Sequence, residues 1–91
     1  MRSVNVYTPK QITATTNVCS GDGLLGGIFC SSSTAGTATV YDDAATGTTT
    51  KIVDTFNLTA GTFYSLPFGV SNGIYVVLGG TASVTVAYTR G

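Results

Sequence analysis

The residue types that carry most enzyme chemistry are sparse in this sequence. Its 91 residues include no His and no Glu, and the acidic residues are four aspartates. A serine or cysteine nucleophile would lack an imidazole partner, and general acid–base work would fall on aspartate alone. Two cysteines without histidine also leave a zinc ligand set incomplete. We therefore predict a protein that is not an enzyme, with no catalytic residue, no metal site and no cofactor.

Asp42 and Asp43 form an adjacent pair of candidate ligands. They lie where a predicted strand gives way to a connection rich in Gly and Thr. Carboxylate oxygens are hard ligands that suit Ca²⁺, which makes a calcium site one interpretation. Aspartates in such places more often accept hydrogen bonds from the backbone of a turn. We favour the turn-forming role for this pair.

Cys19 and Cys30 allow at most one disulfide within the chain. If residues 21–23 form a tight hairpin turn, Cys19 faces Leu24 or Leu25, and Cys30 lies too far along the second strand. A bridge across that hairpin is therefore disfavoured, whereas a bridge between two sheets stays open. Because the cytoplasm keeps thiols reduced, we expect two buried free thiols.

The composition predicts one small domain, residues 1–91, with a surface that needs covering. Hydrophobic residues make up 43% of the chain and charged residues 9%, with no net charge, against a usual charged share of about 25%. A chain of this size buries only about 60–65% of its unfolded surface. A surface solvated by Ser, Thr, Asn and Gly is one interpretation. We favour a surface covered by other copies or by partners.

Nucleic acid and membrane are not expected as partners. The four cationic residues are scattered along the chain, which does not give the basic patch that a phosphate backbone requires. No apolar run approaches the length of a membrane span. No run typical of a signal peptide follows the first two residues, so we expect synthesis in a cytoplasm. The cationic residues are Arg2, Lys10, Lys51 and Arg90.

Alternating apolar and polar residues predict an all-β fold with no substantial helix. Turn signals recur at a spacing typical of a sandwich or barrel, and we expect a small β-sandwich, jelly-roll-like, of about eight short antiparallel strands. Residues 1–10 are expected to be an N-terminal arm or an edge strand, because Pro9 cannot donate to a ladder. Residues 31–36 are expected to be a loop and Gly79-Gly80 a turn. The predicted strands are residues 3–7, 11–18, 24–30 (with a bulge or a close backbone approach at Gly26-Gly27), 38–42, 50–58, 62–66, 73–78 and 82–89.

Asp54 interrupts an apolar row on one of these strands. Strict alternation places it on the same face as Ile52 and Phe56. A lone charge there has three explanations: an ion pair with Lys10 or Arg90, a subunit contact, or an edge strand whose face reaches solvent. The sequence leaves all three open.

Several apolar residues near prolines and at the N-terminus are candidates for a protein interface. Leu66 and Phe68 flank Pro67, and apolar residues exposed on such a short edge strand usually indicate a partner. A sugar-stacking platform built from the five tyrosines is the competing idea, but they fall on different predicted faces, so packing at the core rim is favoured. The predicted interface residues are Val4, Val6, Tyr7, Asp54, Leu66 and Phe68.

From Gly23 onward the chain resembles a family of small phage virion proteins. The resemblance lies in a series of segments in a fixed order and covers about three quarters of the chain; residues 1–22 match least. The segments are Gly-Leu-Leu-Gly-Gly-Ile from Gly23, Thr-Val-Tyr-Asp from Thr39, Ile-Val-Asp from Ile52, Leu-Pro-Phe from Leu66, Gly-Ile-Tyr-Val from Gly73 and Val-Thr-Val-Ala-Tyr from Val84.

The resemblance implies a capsid decoration (cement) protein or a small head-fibre module. Such proteins are β-sandwiches that bind the outer capsid, often as trimers, and they bring no catalytic motif. It implies a protein on the capsid surface of a virion, made in the host cytoplasm, with the major capsid protein and further copies of itself as partners. The alternative is a head-fibre or tail-associated module that recognises host surface glycans.

Overall fold

The protein is all-β, as the alternation predicts. The computed structural model describes residues 7–90, and for Arg90 it describes the backbone alone. Among these residues six strands form one antiparallel sheet, and no helix occurs. The strands are β1 (Thr8–Ile12), β2 (Thr16–Ser20), β3 (Gly23–Tyr41), β4 (Lys51–Asn57), β5 (Thr62–Val70) and β6 (Gly73–Arg90).

Two long central strands organise the sheet. β3 and β6 pair antiparallel from Gly23↔Arg90 to Tyr41↔Tyr75. On β3, residues 23–30 pair with β5 and residues 37–41 with β4. On β6, residues 84–88 pair with β1 and residues 73–76 with β2. The four shorter strands therefore flank the two ends of the long β3–β6 strand pair.

The described residues form six strands, where the sequence predicted about eight. The predicted loop at residues 31–36 lies inside β3, and the predicted Gly79-Gly80 turn lies inside β6. The pairing register shifts between Cys30 and Ser32 and again between Thr34 and Thr37. Such bulges absorb extra residues and bend a strand without ending its ladder. The predicted loop and the predicted turn are therefore wrong, because these residues bend the strands and do not end them.

The predicted strand at residues 11–18 is divided in the structure. β1 ends at Ile12 and β2 begins at Thr16. Between them Thr16 Oγ1 donates to the Ala14 carbonyl at 2.8 Å, and the Leu78 N–H donates to Thr15 Oγ1 at 3.1 Å. β1, which contains Pro9, lies at an edge of the sheet, where proline is tolerated. Residues 1–6 lie outside the described part of the chain.

The core is one continuous apolar cluster with residues from both ends of the long β3–β6 strand pair. Its fully buried side chains come from the two central strands, and burying each aliphatic one contributes roughly 1.5–3 kcal/mol. Cys19 and Cys30 are both buried and free, which confirms the expected state of the thiols. The fully buried residues are Leu25, Ile28, Cys30, Ala38, Val40, Ile74, Val76, Val84 and Val86.

Candidate functional site

Two adjacent glycines form the floor of an exposed surface on β3. Leu25 and Ile28 are both fully buried, and the pairing register shifts between Leu25 and Gly27. At such a bulge two residues lie between successive inward-facing positions, so Gly26 and Gly27 both present their outward side. Of the two interpretations of the Gly-Gly pair, a bulge or a close backbone approach, the bulge is present.

Aromatic rings cover this glycine floor. A Cβ atom placed on Gly26 would lie 2.7 Å from Cε1 of Tyr7, and one on Gly27 would lie 2.5 Å from Cζ of Phe63. Phe29 is the cross-strand partner of Phe63. These three rings stay 39%, 40% and 53% exposed for Tyr7, Phe29 and Phe63 respectively. We call Tyr7, Phe29 and Phe63 the aromatic face.

The neighbours of the aromatic face carry no charge among the residues that the structure describes. Their positions follow from the register, because directly paired residues share a face of the sheet. The Gln11 amide is engaged within the face, donating to Ser83 Oγ at 3.0 Å. Exposed rings on an uncharged surface are typical of a protein contact. The register partners are Ser65 and Ala87 opposite Gly27, Thr85 opposite Phe29, Pro9 opposite Ala87 and Gln11 opposite Thr85.

A second apolar surface is the groove between β4 and β5, which we call the β4–β5 groove. Its volume is about 480 Å³. At its centre the Phe56 and Tyr64 rings lie 5.0 Å apart between centroids, tilted by 56°. The Tyr64 hydroxyl accepts from the Thr59 N–H at 2.8 Å and donates to the Asn57 carbonyl at 3.3 Å, which fixes the connection between the two strands. The groove is lined by Val53, Phe56, Asn57, Phe63, Tyr64, Ser65 and Leu66.

The residues predicted as an interface do not form one surface. Tyr7 belongs to the aromatic face, whereas Leu66 lines the β4–β5 groove. Phe68 is 41% exposed and pairs with buried Leu25, so it lies on the opposite side of β5 from Phe63. Val4 and Val6 lie outside the described residues.

The predicted position of Asp54 requires correction. The register places Val53 opposite Val40 and Phe56 opposite Ala38, with a shift between the two pairs. Val53 and Phe56 therefore share the buried side, and Asp54 lies in the bulge, where its side chain is 88% exposed. Strict alternation failed here because a bulge reverses the parity of the residues beyond it, and the β3–β4 pairing contains a second register shift between the Val53 and Lys51 pairs.

The partner of Asp54 is a neighbour on its own strand. Lys51 Nζ lies 3.0 Å from Asp54 Oδ1, so neither Lys10 nor Arg90 is needed to explain the charge. The hydrogen bond to Asp54 and the attraction of its charge raise the pKa of Lys51, and the ammonium also lies 6.0 Å from the Tyr41 ring centroid. Such solvated pairs add little to stability. The pair does not exclude Asp54 from a subunit contact.

Asp42 and Asp43 both serve the backbone of turns. Asp42 accepts from the N–H groups of Ser71, Asn72 and Gly73 at 3.2, 2.8 and 3.2 Å. Asp43 Oδ1 accepts from the N–H groups of Ala45 and Gly47. Partial burial acts to raise the pKa of Asp42, but the three backbone donors lower it below its ordinary value. These contacts are those of turn-forming carboxylates, and residues 7–90 contain no cluster suited to a metal ion.

The tyrosines are dispersed over several surfaces. Tyr41 and Tyr75 are a cross-strand pair with ring centroids 6.1 Å apart. Tyr64 lies in the β4–β5 groove and Tyr7 on the aromatic face, and Tyr88 packs against the core. A single platform of five rings is therefore absent from the described structure.

The sequence reasoning missed Phe29 and Phe63. A signal was available, because the Gly26-Gly27 pair predicted a bulge or a close backbone approach and an aromatic residue follows it two positions later. Glycines on a sheet surface expose backbone that a ring from a neighbouring strand can cover. Locating that ring requires the β3–β5 register, which a single sequence does not supply.

No family model matches this chain, and no curated protein and no solved structure was found to be similar to it. Across residues 7–90 there is no helix of the length and apolarity needed to cross a membrane. The function is therefore inferred from the residues and the geometry of the chain itself.

Proposed function

We propose that this chain is a structural protein of a bacteriophage virion, a decoration (cement) protein that binds the outer surface of the capsid. Its partners are the major capsid protein and two further copies of itself in a homotrimer, and it has no enzymatic activity. The observation that carries the proposal is the aromatic face, which presents three exposed rings on an uncharged surface. The resemblance of the segments from Gly23 onward supplies the virion context.

The aromatic face has the chemistry of a contact that is desolvated on binding. Phe29 and Phe63 have no polar atom that would favour solvent, and their neighbours Thr85 and Ala87 bring no charge that must be stripped of water. Aromatic residues at the centre of an interface typically carry most of its binding energy. We assign this face to the capsid contact, and we propose that Val4 and Val6 contribute to the same contact.

A cyclic trimer joins two different surfaces of the same chain. The β4–β5 groove supplies a second apolar surface, and Leu66 lies in it. Asp54 lies in β4 next to Val53 of the groove, and its carboxylate is exposed, which supports a contact with a neighbouring subunit. We assign Asp54 and Leu66 to the contact between subunits, whereas Phe68, on the other side of β5, lies outside both the groove and the aromatic face.

The stabilising mechanism is mass action. A protein that binds the assembled shell and not its separated subunits adds RT ln(1 + [L]/Kd) per site, about 2.7 kcal/mol when its free concentration is 100 times Kd. Three linked copies raise the effective affinity further, because the second and third contacts are intramolecular. The affinity of each aromatic-face contact can therefore be modest, and the trimer still stabilises the shell.

We also propose that the single sheet closes on itself as a β-sandwich of the jelly-roll type. Dividing β3 and β6 at their bulges turns six strands into eight segments, four at each end of the long β3–β6 strand pair. Ile28 and Val76 belong to opposite ends, yet both are fully buried in one cluster. Nuclear Overhauser contacts between their methyl groups would support face-to-face packing, whereas their absence would argue for a single open layer.

The test is the thermal stability of empty capsids with and without the protein. Binding should raise the melting temperature of the shell, and a Phe29→Thr variant should bind more weakly without losing its own fold, because the Phe29 ring is exposed and does not line the β4–β5 groove. Phe68→Thr is the matched control, since Phe68 is exposed to a similar degree on the other side of β5. A melting temperature that does not change with the unaltered protein would refute the reinforcing role.

A head-fibre or tail module that binds host glycans is the second candidate. The Tyr41–Tyr75 pair, with Lys51 beside it, is the local feature that favours it, because sugars stack on aromatic rings flanked by polar groups. Copy number in purified virions distinguishes the two functions. A number comparable with that of the capsid subunit supports decoration, and only a few copies per particle support a receptor-binding module.

A further inference from the structure

The turn between β5 and β6 contains a chemically reactive dipeptide. Asn72 is followed by Gly73, whereas the other three asparagines precede Val or Leu. In an Asn-Gly sequence the backbone nitrogen of the glycine can attack the side-chain carbonyl carbon of the asparagine, because no side chain on glycine shields that nitrogen. The Asn72 side chain is exposed, so water reaches it.

The reaction is a deamidation. The Gly73 nitrogen forms a bond to Asn72 Cγ, the Cγ–Nδ2 bond breaks, and ammonia leaves with the proton that the Gly73 nitrogen gave up. Water then opens the resulting succinimide ring at either carbonyl, which gives aspartate or isoaspartate. No oxidant or reductant takes part, and water is the sole co-reactant.

We propose that Asn72 is a deamidation site and that the Asp42 carboxylate slows its deamidation in the folded protein. The nitrogen that must attack is the one whose N–H donates to Asp42 Oδ1 at 3.2 Å. The Asn72 N–H donates to the same oxygen at 2.8 Å, and the Asn72 carbonyl accepts from the Gly21 N–H at 2.7 Å. Both peptide groups that flank the Asn72 Cα are therefore fixed.

Two consequences of this arrangement oppose the reaction. A hydrogen bond to an anion holds the proton on the Gly73 nitrogen, and the negative charge disfavours the amide anion that attacks. The glycine is also confined, since a Cβ there would collide with the carbonyl oxygens of Cys19 and Asp43. The rotation that brings the nitrogen to Cγ therefore requires the turn to open locally.

Deamidation would weaken the contact that restrains it. It places a second carboxylate at residue 72, next to Asp42, and like charges repel. The isoaspartate product also adds one backbone carbon at the start of β6, which disturbs the pairing of Gly73 with Ser20. Each modified chain therefore has a weaker Asp42 contact than the parent. This proposal does not depend on the capsid-binding function.

The experiment measures conversion at Asn72 by peptide mass spectrometry, with isoaspartate detected separately, during incubation at mildly alkaline pH. In the unaltered protein, Asn72 should convert at least about tenfold more slowly in the folded state than in urea, a factor that corresponds to about 1.4 kcal/mol of local opening. Equal rates in the two states would refute the proposal.

The variant Asp42→Asn should raise the folded-state rate about tenfold, again about 1.4 kcal/mol. Asp43→Asn is the matched control, because Asp43 bonds the Ala45 and Gly47 N–H groups and not the Asn72 turn. If both variants convert like the parent, or if both accelerate equally, the assignment to Asp42 is wrong.

Hydrogen exchange separates local from global opening in these variants. Faster exchange confined to the amides of residues 71–73 supports the proposal. Equal acceleration at the core amides of Val84 and Val86 would mean that Asp42→Asn acts by unfolding the whole domain, which would overturn the specific role of its carboxylate.

Discussion

Ala35 of β3 and Gly80 of β6 lie against each other at the bend of the long β3–β6 strand pair, and both have positive φ. Ala35 has a φ of 52° and Gly80 a φ of 65°. A Cβ atom on Gly80 would collide with the Ala35 carbonyl oxygen. The bend at which the two ends of the sheet meet therefore depends on the absence of one methyl group.

Gly80→Ala should destabilise the domain by about 2–3 kcal/mol, because the substitution adds left-handed backbone strain to a backbone clash. Urea unfolding measures the change. Gly61→Ala is the matched control, since Gly61 also has positive φ (81°) but a Cβ there meets nothing within 4 Å. The control should lose only about 1 kcal/mol, the strain alone. Equal losses would show that the close approach of Ala35 has no energetic weight.

Ala35→Gly should have the opposite sign and stabilise the domain by about 0.5–1 kcal/mol, because glycine adopts φ near +50° without the cost that alanine incurs. Thermal unfolding at a fixed protein concentration measures it. Ala44→Gly, at an exposed loop position with no positive φ, should instead cost a few tenths of a kcal/mol. A loss of stability in Ala35→Gly would mean that Ala35 contributes packing that outweighs its backbone strain.

These positions show how much of the fold follows from the sequence. The Gly79-Gly80 pair and residues 31–36 contain turn-forming residues, so an irregularity at both places was predictable, whereas the loop and the turn predicted there were wrong. Whether such residues end a strand or bend it depends on the partner strand, because a bulge keeps the ladder that a turn ends. The β3–β6 register decides this, and local composition does not encode it.

The candidate surfaces were predictable to different extents. Tyr7 and Leu66 were identified because apolar residues on short edge strands suggest contacts. Phe29 and Phe63 were missed, since their exposure depends on the glycine floor that two strands create together. Asp54 was placed on the wrong face because alternation assumes a strand without bulges.

The Asp42 carboxylate should make the free energy of unfolding depend on pH in the acidic range. Its pKa is lower in the folded state than in the unfolded state, so its contribution is present above the ordinary aspartate value near 3.9 and is lost as the pH falls through the lowered folded value. Allowing for its partial exposure, Asp42→Asn should cost about 1–2 kcal/mol at neutral pH. The difference from the parent should shrink below about pH 4 in urea titrations at several pH values. A difference that is the same at pH 3 and pH 7 would exclude the ionised carboxylate as its source.

The Tyr64 hydroxyl should stabilise the connection between β4 and β5. That connection contains a turn in which the Thr62 N–H donates to the Thr59 carbonyl at 3.2 Å, with Gly61 at positive φ. The Tyr64 hydroxyl comes from β5 and joins that strand to the end of β4 and the start of the turn, since it accepts from the Thr59 N–H and donates to the Asn57 carbonyl. Tyr64→Phe keeps the ring against Phe56 but removes these bonds. It should therefore cost about 1 kcal/mol.

Tyr75→Phe is the control for that substitution, because it keeps the ring pair with Tyr41 and lies in β6, away from the turn. Urea unfolding should show a larger loss for Tyr64→Phe than for Tyr75→Phe. Hydrogen exchange should be faster at residues 59–62 in the Tyr64 variant alone, because the Thr59 amide loses its acceptor. If exchange there is unchanged, the turn is held by its own backbone bond and by the Gly61 N–H donating to the Cys30 carbonyl at 2.7 Å. The hydroxyl would then be dispensable to the turn.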